Sequence, residues 1–247
     1  MKKIIALFLT ALLLALTLIS CDDSGKLDFT GLNNDELFGT LSAISVNPED
    51  YIGREVKISA NVSVIYSFGQ NRVLSNVLIA LDPTNCCDAY YEIRTQDGKY
   101  PGIGAEATVN GVFADGYIDV SELITDNETP APDIDTLSMS PDEVTSFITD
   151  YADHHLTSDE RNKTICIVGH YTMVEGYRYL LGLTNEGKPT WEIELGEIAD
   201  GIALPVQNGN YINPVYIYGT LSYYTEGTNT YACINVSSAQ KVVAVMD

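Results

Sequence analysis

Val56-Lys57-Ile58-Ser59-Ala60-Asn61-Val62-Ser63-Val64-Ile65-Tyr66 is the stretch whose reading decides the fold. Val56, Ile58, Ala60, Val62, Val64 and Tyr66 hold alternate positions, with Lys57, Ser59, Asn61 and Ser63 between them. Side chains on a strand point to opposite faces in turn, so this is a long strand with one buried face. Further strands are expected at Val73–Leu81, Ala89–Arg94, Ala107–Phe113 and Tyr117–Leu123, with turn chemistry at Gly69-Gln70-Asn71 and Ala114-Asp115-Gly116.

Working outward, Asp126-Asn127-Glu128-Thr129-Pro130-Ala131-Pro132-Asp133 combines prolines, charge and small polar residues without apolar periodicity. It reads as the core of a linker over 126–139, separating a module at 35–125 from one at 140–247. The second module repeats the strand order at Thr164–Met173, Arg178–Thr184, Trp191–Leu195, Val215–Tyr223 and Tyr231–Val236. Three local echoes suggest duplication. Ser45-Val46-Asn47-Pro48-Glu49-Asp50 resembles Ser138-Met139-Ser140-Pro141-Asp142-Glu143, and Tyr91-Glu92-Ile93 resembles Trp191-Glu192-Ile193. Ala107-Thr108-Val109-Asn110-Gly111-Val112 shares its apolar spacing with Val215-Tyr216-Ile217-Tyr218-Gly219-Thr220.

Helix is expected to be minor. Ser140 is a good N-cap, Pro141 suits the first helical position, and Val144, Phe147, Ile148 and Tyr151 fall on one face. Asn47-Pro48-Glu49-Asp50 could open a shorter turn. The expectation is an all-β chain with minor helix, folded as two tandem small OB-like β-barrels. An immunoglobulin-like sandwich competes, but it would need about seven strands per half where five are visible.

The N-terminus carries an address. Lys2 and Lys3 precede the nearly unbroken apolar run Ile4–Leu18. At ~1.5 Å per helical residue that run falls short of the ~30 Å hydrocarbon core, which suits a signal core better than a permanent span. Leu18-Ile19-Ser20-Cys21 resembles the lipobox of bacterial lipoproteins. The resemblance implies diacylglycerol on the Cys21 thiol and cleavage after Ser20, so that residues 1–20 are a signal peptide and 21–34 a lipidated tether. An ordinary secreted protein with Cys21 in a disulfide is the alternative. The expected location is extracytoplasmic, at the cell surface or periplasmic face, with the membrane as partner through the lipid.

Asn47-Pro48-Glu49-Asp50-Tyr51-Ile52-Gly53 and Asp82-Pro83-Thr84-Asn85-Cys86-Cys87 resemble features of lipoproteins of Gram-positive gut bacteria with OB-like domains. That resemblance covers roughly residues 35–125 and implies fold and location only. The second half lacks the Cys-Cys pair.

With 34 acidic residues against 13 basic ones, the chain has a formal net charge of −21. It repels phosphate backbones, and its Lys and Arg form no cluster, so nucleic acid is set aside as a partner. No Gly-x-Ser-x-Gly, His-Glu-x-x-His or phosphate-cradling glycine loop appears. The expectation is a binding protein rather than an enzyme, with no catalytic residue, no cofactor and no metal, and with a glycan or an envelope protein as partner.

Four local features carry chemistry. Cys86 and Cys87 could form a vicinal disulfide, bind a soft metal or exchange thiols; equally, one could pack inward while the other pairs elsewhere. Cys166 and Cys233 form the disulfide to test first. Asp150 and His154 share a helix face beside Asp153 and His155, an arrangement as typical of a solvated helix end as of a metal site. Finally, nine of the sixteen tyrosines and the single Trp fall between Tyr171 and Tyr231. Tyr216 and Tyr218 would share a strand face, and with Tyr223 and Trp191 they are the expected sugar-stacking residues. Ordinary strand composition also favours Tyr.

Overall fold

A computed structural model describes residues 25–83, 87–125, 130–184, 187–202, 204 and 213–245. Cys21, the signal run and Cys86 lie outside these residues. The chain divides into two compact units. Of the described residues, the first holds 25–62, 77–83, 87–101 and 105–125, and the second holds 63–76, 102–104 and everything from 130 onward. Residues 63–76 and 102–104 therefore join the second unit, although they lie inside the stretch 35–125 expected for the first module.

The first unit is built on β1 (Leu27–Asp28), β2 (Glu55–Ser67), β3 (Arg72–Leu81), β4 (Asp88–Thr95), β5 (Glu106–Phe113) and β6 (Tyr117–Thr125), with 63–67 of β2 and 72–76 of β3 counted in the second unit. The sheet runs β1-β2-β3-β4-β6-β5, and β5 returns to pair with β2, closing a five-stranded ring. β4 and β6 are parallel, while β5 is antiparallel to both β6 and β2. This is the strand order of a small OB barrel. Val56, Ile58 and Val62 point into its core with Tyr91, Ile93 and Ile118, as the alternation in β2 requires.

The second unit contains β7 (Ile134–Asp135), β8 (Thr164–Val174), β9 (Tyr177–Leu183), β10 (Pro189–Ile198), β11 (Asn213–Glu226), β12 (Asn229–Lys241) and β13 (Val243–Val245). Its sheet runs β11-β12-β10-β9-β8-β7 and closes through β11–β8, again with a parallel pair, β10–β12. β13 pairs in parallel with Ile65–Ser67 at the end of β2.

Each ring is preceded by a helix, α1 (Asn34–Val46) or α2 (Pro141–His154). α2 lies where the Ser140-Pro141 signal and the apolar face foretold. α1 was not foreseen, because Gly39, Thr40, Ser42 and Ser45 dilute its pattern; only the turn at Pro48–Asp50, which is a 3-10 turn, was expected. Both helices carry a capping box. Asn33 accepts from the Glu36 backbone and Ser140 from the Glu143 backbone, and each glutamate returns a bond to its cap's N–H.

The likeness of the two units shows in a register finer than the sequence echoes. Leu27, Asp28, Asn33, Glu36, Leu37, Leu41 and Ile44 correspond, at one constant spacing, to Ile134, Asp135, Ser140, Glu143, Val144, Ile148 and Tyr151. Leu27 pairs in parallel with Val56, and Ile134 pairs in parallel with Ile165. Asp28 accepts from the Thr30 N–H at 3.0 Å, and Asp135 from the Leu137 N–H at 3.0 Å. The helix residues Leu37, Leu41 and Ile44 are buried in one unit, and Val144, Ile148 and Tyr151 in the other.

Two echoes need correction. Ser45–Asp50 ends a helix whereas Ser138–Glu143 begins one, so the counterpart of Ser140–Glu143 is Asn33–Glu36. The β4–β6 and β10–β12 registers align Ile93 with Leu195, which shifts Tyr91-Glu92-Ile93 two places from Trp191-Glu192-Ile193. The third echo holds. Gly111 and Gly219 both follow a bulge, and a Cβ on either would run into the backbone of the neighbouring strand, at Asp119 or Asn235.

Residues expected to be tether or linker also enter the sheets. Leu27 and Phe29, within 21–34, are buried, as are Ile134 and Thr136 within 126–139. Apolar side chains beside an unpaired strand edge gain both burial and backbone hydrogen bonds by docking.

Candidate functional site

On β9, β10 and β12 the inward residues Leu180, Trp191, Ile193, Leu195, Ile234 and Val236 fill the second barrel. Alternation turns Tyr179, Glu194, Gly196, Tyr231, Cys233 and Asn235 to the outer face. Register then brings the outward residues together. Tyr179 lies beside Glu194, Glu194 beside Cys233, Cys233 opposite Ser222, and Tyr231 opposite Tyr224.

The result is a groove of about 490 Å³, lined by Tyr177, Glu194, Gly196, Tyr224, Cys233 and Asn235 among others. It runs across the outer face of β10, β11 and β12, and the β8–β9 turn with the start of β9 closes one side of it. Tyr224 and Tyr231 stack with ring centroids 5.4 Å apart and planes 25° apart. The Tyr224 hydroxyl donates to Glu194 Oε2 at 2.6 Å. The Tyr177 hydroxyl donates to the Glu226 carboxylate, 2.9 Å from each oxygen. Asn229 Nδ2 donates to the Tyr231 hydroxyl at 3.2 Å. At Gly196 a Cβ would lie 2.5 Å from Asn235 Oδ1 and 2.9 Å from Cys233 Sγ, so glycine keeps the floor low.

The field in the groove is negative. Desolvation and then the Glu194 carboxylate hold the Tyr224 hydroxyl protonated well above its ordinary range. The hydrogen bond to Glu226 raises Tyr177. Tyr179 is raised by desolvation and by the nearby Glu194, Glu192 and Glu175. Burial, with Glu194 and Glu197 close by, pushes the Cys233 thiol up to about 11. A thiol held that high is a poor nucleophile and a poor metal ligand at neutral pH.

The expected site residues fare differently. Tyr216 and Tyr218 do share the outer face of β11, but both are buried, 5% and 8% exposed, so they cannot stack on a sugar. Val64, Tyr66, Ile103 and Val242 cover them within the second unit. The same face emerges further along β11 at Ser222 and Tyr224, where nothing in that cluster covers it. Trp191 is a core residue packed directly over Gly182 and Gly169. Tyr223 is exposed at the edge of the groove, with the Arg161 guanidinium 5.6 Å from its ring centroid. Tyr177, Tyr224, Tyr231 and Glu194 are the residues that sequence reasoning missed. Pairing Tyr224 with Tyr231 through the Gly227 turn was the available signal.

Cys166 and Cys233 are separate buried thiols, not a disulfide. Tyr218 lies opposite Cys166 and Ser222 opposite Cys233, so β11 stands between them. Two strand spacings of about 4.8 Å, and roughly 13 Å along the strand, exceed the ~7 Å Cα limit of a disulfide. Cys166 donates to Asp135 Oδ1 at 3.0 Å, and burial and that carboxylate push its thiol up to about 12. Cys87 is exposed, and its partner Cys86 lies outside the described residues.

His154 Nδ1 is 3.2 Å from Asp150 Oδ1 across one exposed helical turn. His155 turns its Nδ1 to the Ala152 carbonyl at 2.7 Å. Among the described residues no group of three or more His, Cys, Asp or Glu is placed to hold a metal, and no helix is long and apolar enough to cross a membrane. No protein-family model matches the chain, and no curated protein matches it.

Proposed function

We propose that the chain is a lipid-anchored, extracytoplasmic binding protein whose second barrel takes a saccharide in the tyrosine-walled groove. The stacked Tyr224–Tyr231 pair beside Glu194 carries this reading. Tyrosine rings offer an apolar face to a pyranose ring, while hydroxyls and carboxylates accept or donate at its edge. A groove of about 490 Å³ is within the range of small-ligand sites. OB barrels bind oligonucleotides and oligosaccharides, and the carboxylates of Glu194 and Glu197 in the groove disfavour the first of these. No covalent step belongs to this reading.

The anchor rests on Lys2, Lys3, the apolar run and Leu18-Ile19-Ser20-Cys21. Two acyl chains at ~0.8 kcal/mol per buried CH₂ would hold the body stably, where one would bind only marginally. The soluble body from Asp22 onward, applied to a glycan array with Tyr231→Ala as control, tests the binding half. Silence across wall and dietary glycans removes it. Mass spectrometry of cell-derived protein tests the anchor, and an unmodified Cys21 removes that half.

A further inference from the structure

The two barrels treat one position in opposite ways. Glu92 pairs with Tyr117 on the β4–β6 ladder, as Glu194 pairs with Cys233 on β10–β12, so the two glutamates correspond. In the first barrel Glu92 is neutralised from within. Arg94 Nε lies 2.7 Å from Glu92 Oε1, and the same guanidinium sits 3.9 Å above the Tyr117 ring. A cation thus rests on an aromatic face with a carboxylate at its edge.

In the second barrel the glutamate is kept and no cation stands at the position equivalent to Arg94. Gly196, at a bulge in β10, takes the place of Arg94, and Cys233 takes the place of Tyr117. Aromatic rings return one step away, as Tyr224 and Tyr231. Arg178 lines the groove, but among the described residues it forms no ion pair with Glu194 or Glu226. The second barrel therefore presents the receiving half of an interaction that the first barrel completes internally.

We infer that the groove selects saccharides bearing a free, protonated amine, which seats against Glu194 and the Tyr224–Tyr231 rings as Arg94 seats against Glu92 and Tyr117. This rests on the saccharide reading above and narrows it to amino sugars that are not N-acetylated. A protonated amine gains both from the carboxylate and from the ring quadrupoles, and acetylation removes its charge.

Calorimetry on the soluble body tests this with glucosamine hexamer, N-acetylglucosamine hexamer and spermidine. The glucosamine hexamer is expected to bind at least roughly tenfold more tightly than either of the others. Glu194→Gln, which keeps an acceptor for Tyr224, is expected to erase that preference. Tyr231→Ala, at an exposed ring, is expected to abolish binding, and Glu92→Gln is expected to change nothing. Equal or tighter binding of the acetylated hexamer overturns the inference and leaves the saccharide reading standing. Spermidine binding as tightly as the glucosamine hexamer overturns both, since the sugar would then contribute nothing. If neither hexamer binds, the inference falls, and the glycan array alone decides the saccharide reading.

Discussion

Tyr216 and Tyr231 differ in what covers them, not in chemistry. Sequence parity placed Tyr216 and Tyr218 on one face correctly. It could not show that Val64 and Tyr66, more than a hundred residues earlier, close that face, because cover is a long-range property with no local signal. The two tyrosines should separate experimentally. Tyr216→Ala is expected to cost about 3 kcal/mol of stability by cavity formation, read by urea denaturation. Tyr231→Ala should leave stability nearly unchanged and remove glycan binding. Buried acids set a second expectation. Cys166 and Tyr151 are pushed up to about 12 and Cys233 to about 11, chiefly by burial, against ordinary values of 9.0 for the thiols and 10.0 for the phenol. The folded state keeps protons that the unfolded state releases, so stability is intact below pH 9.0 and drains as the pH rises toward 12. Urea midpoints measured across that interval should fall steadily, and a flat profile would contradict the burial.

Among the elements, strands were the more legible. Nine of the expected strands recur within a few residues of their bounds, because period-two alternation needs only neighbouring positions. Of the helices, α2 announced itself through Ser140, Pro141 and a clean apolar face, whereas α1 is recognisable only by comparison with it. Asn33 and Glu36 then explain where α1 starts. Removing either cap, as Asn33→Ala or Ser140→Ala, is expected to cost about 1 kcal/mol, measured as a lowered denaturation midpoint. The Ser140 backbone N–H bonds the Glu143 carboxylate and holds it below its ordinary 4.5. That contribution is present above pH 4.5 and is lost as the pH falls through the lowered value. The stability gap between the native protein and Glu143→Gln should therefore narrow in acid.

For the molecule as a whole, the architecture follows from one repeated plan: a short docking strand, a capped helix and five strands closed through a bulge at Gly111 or Gly219. Alanine at either glycine would meet backbone and is expected to cost about 1–3 kcal/mol, a comparable loss at the two sites by thermal unfolding. The plan was partly visible in the sequence through the Gly111 and Gly219 echo. The constant spacing from Leu27 to Ile44 and from Ile134 to Tyr151 was hidden, because burial conserves size and polarity rather than identity. The groove was less legible still, since Glu194 stands out only when Gly196 is seen to occupy the position that Arg94 holds in the other barrel.

With the lipid anchor proposed above, the docking of Leu27 beside Val56 would also limit how far the molecule can roam. An extended chain gains at most about 3.6 Å per residue, so an acylated Cys21 would keep the wall of the first barrel within roughly 20 Å of its own sulfur. On the anchor proposed above, so short a leash would make the protein a near-surface sampler. It would meet polymers that already lie against the lipid, and it would miss those drifting beyond its reach.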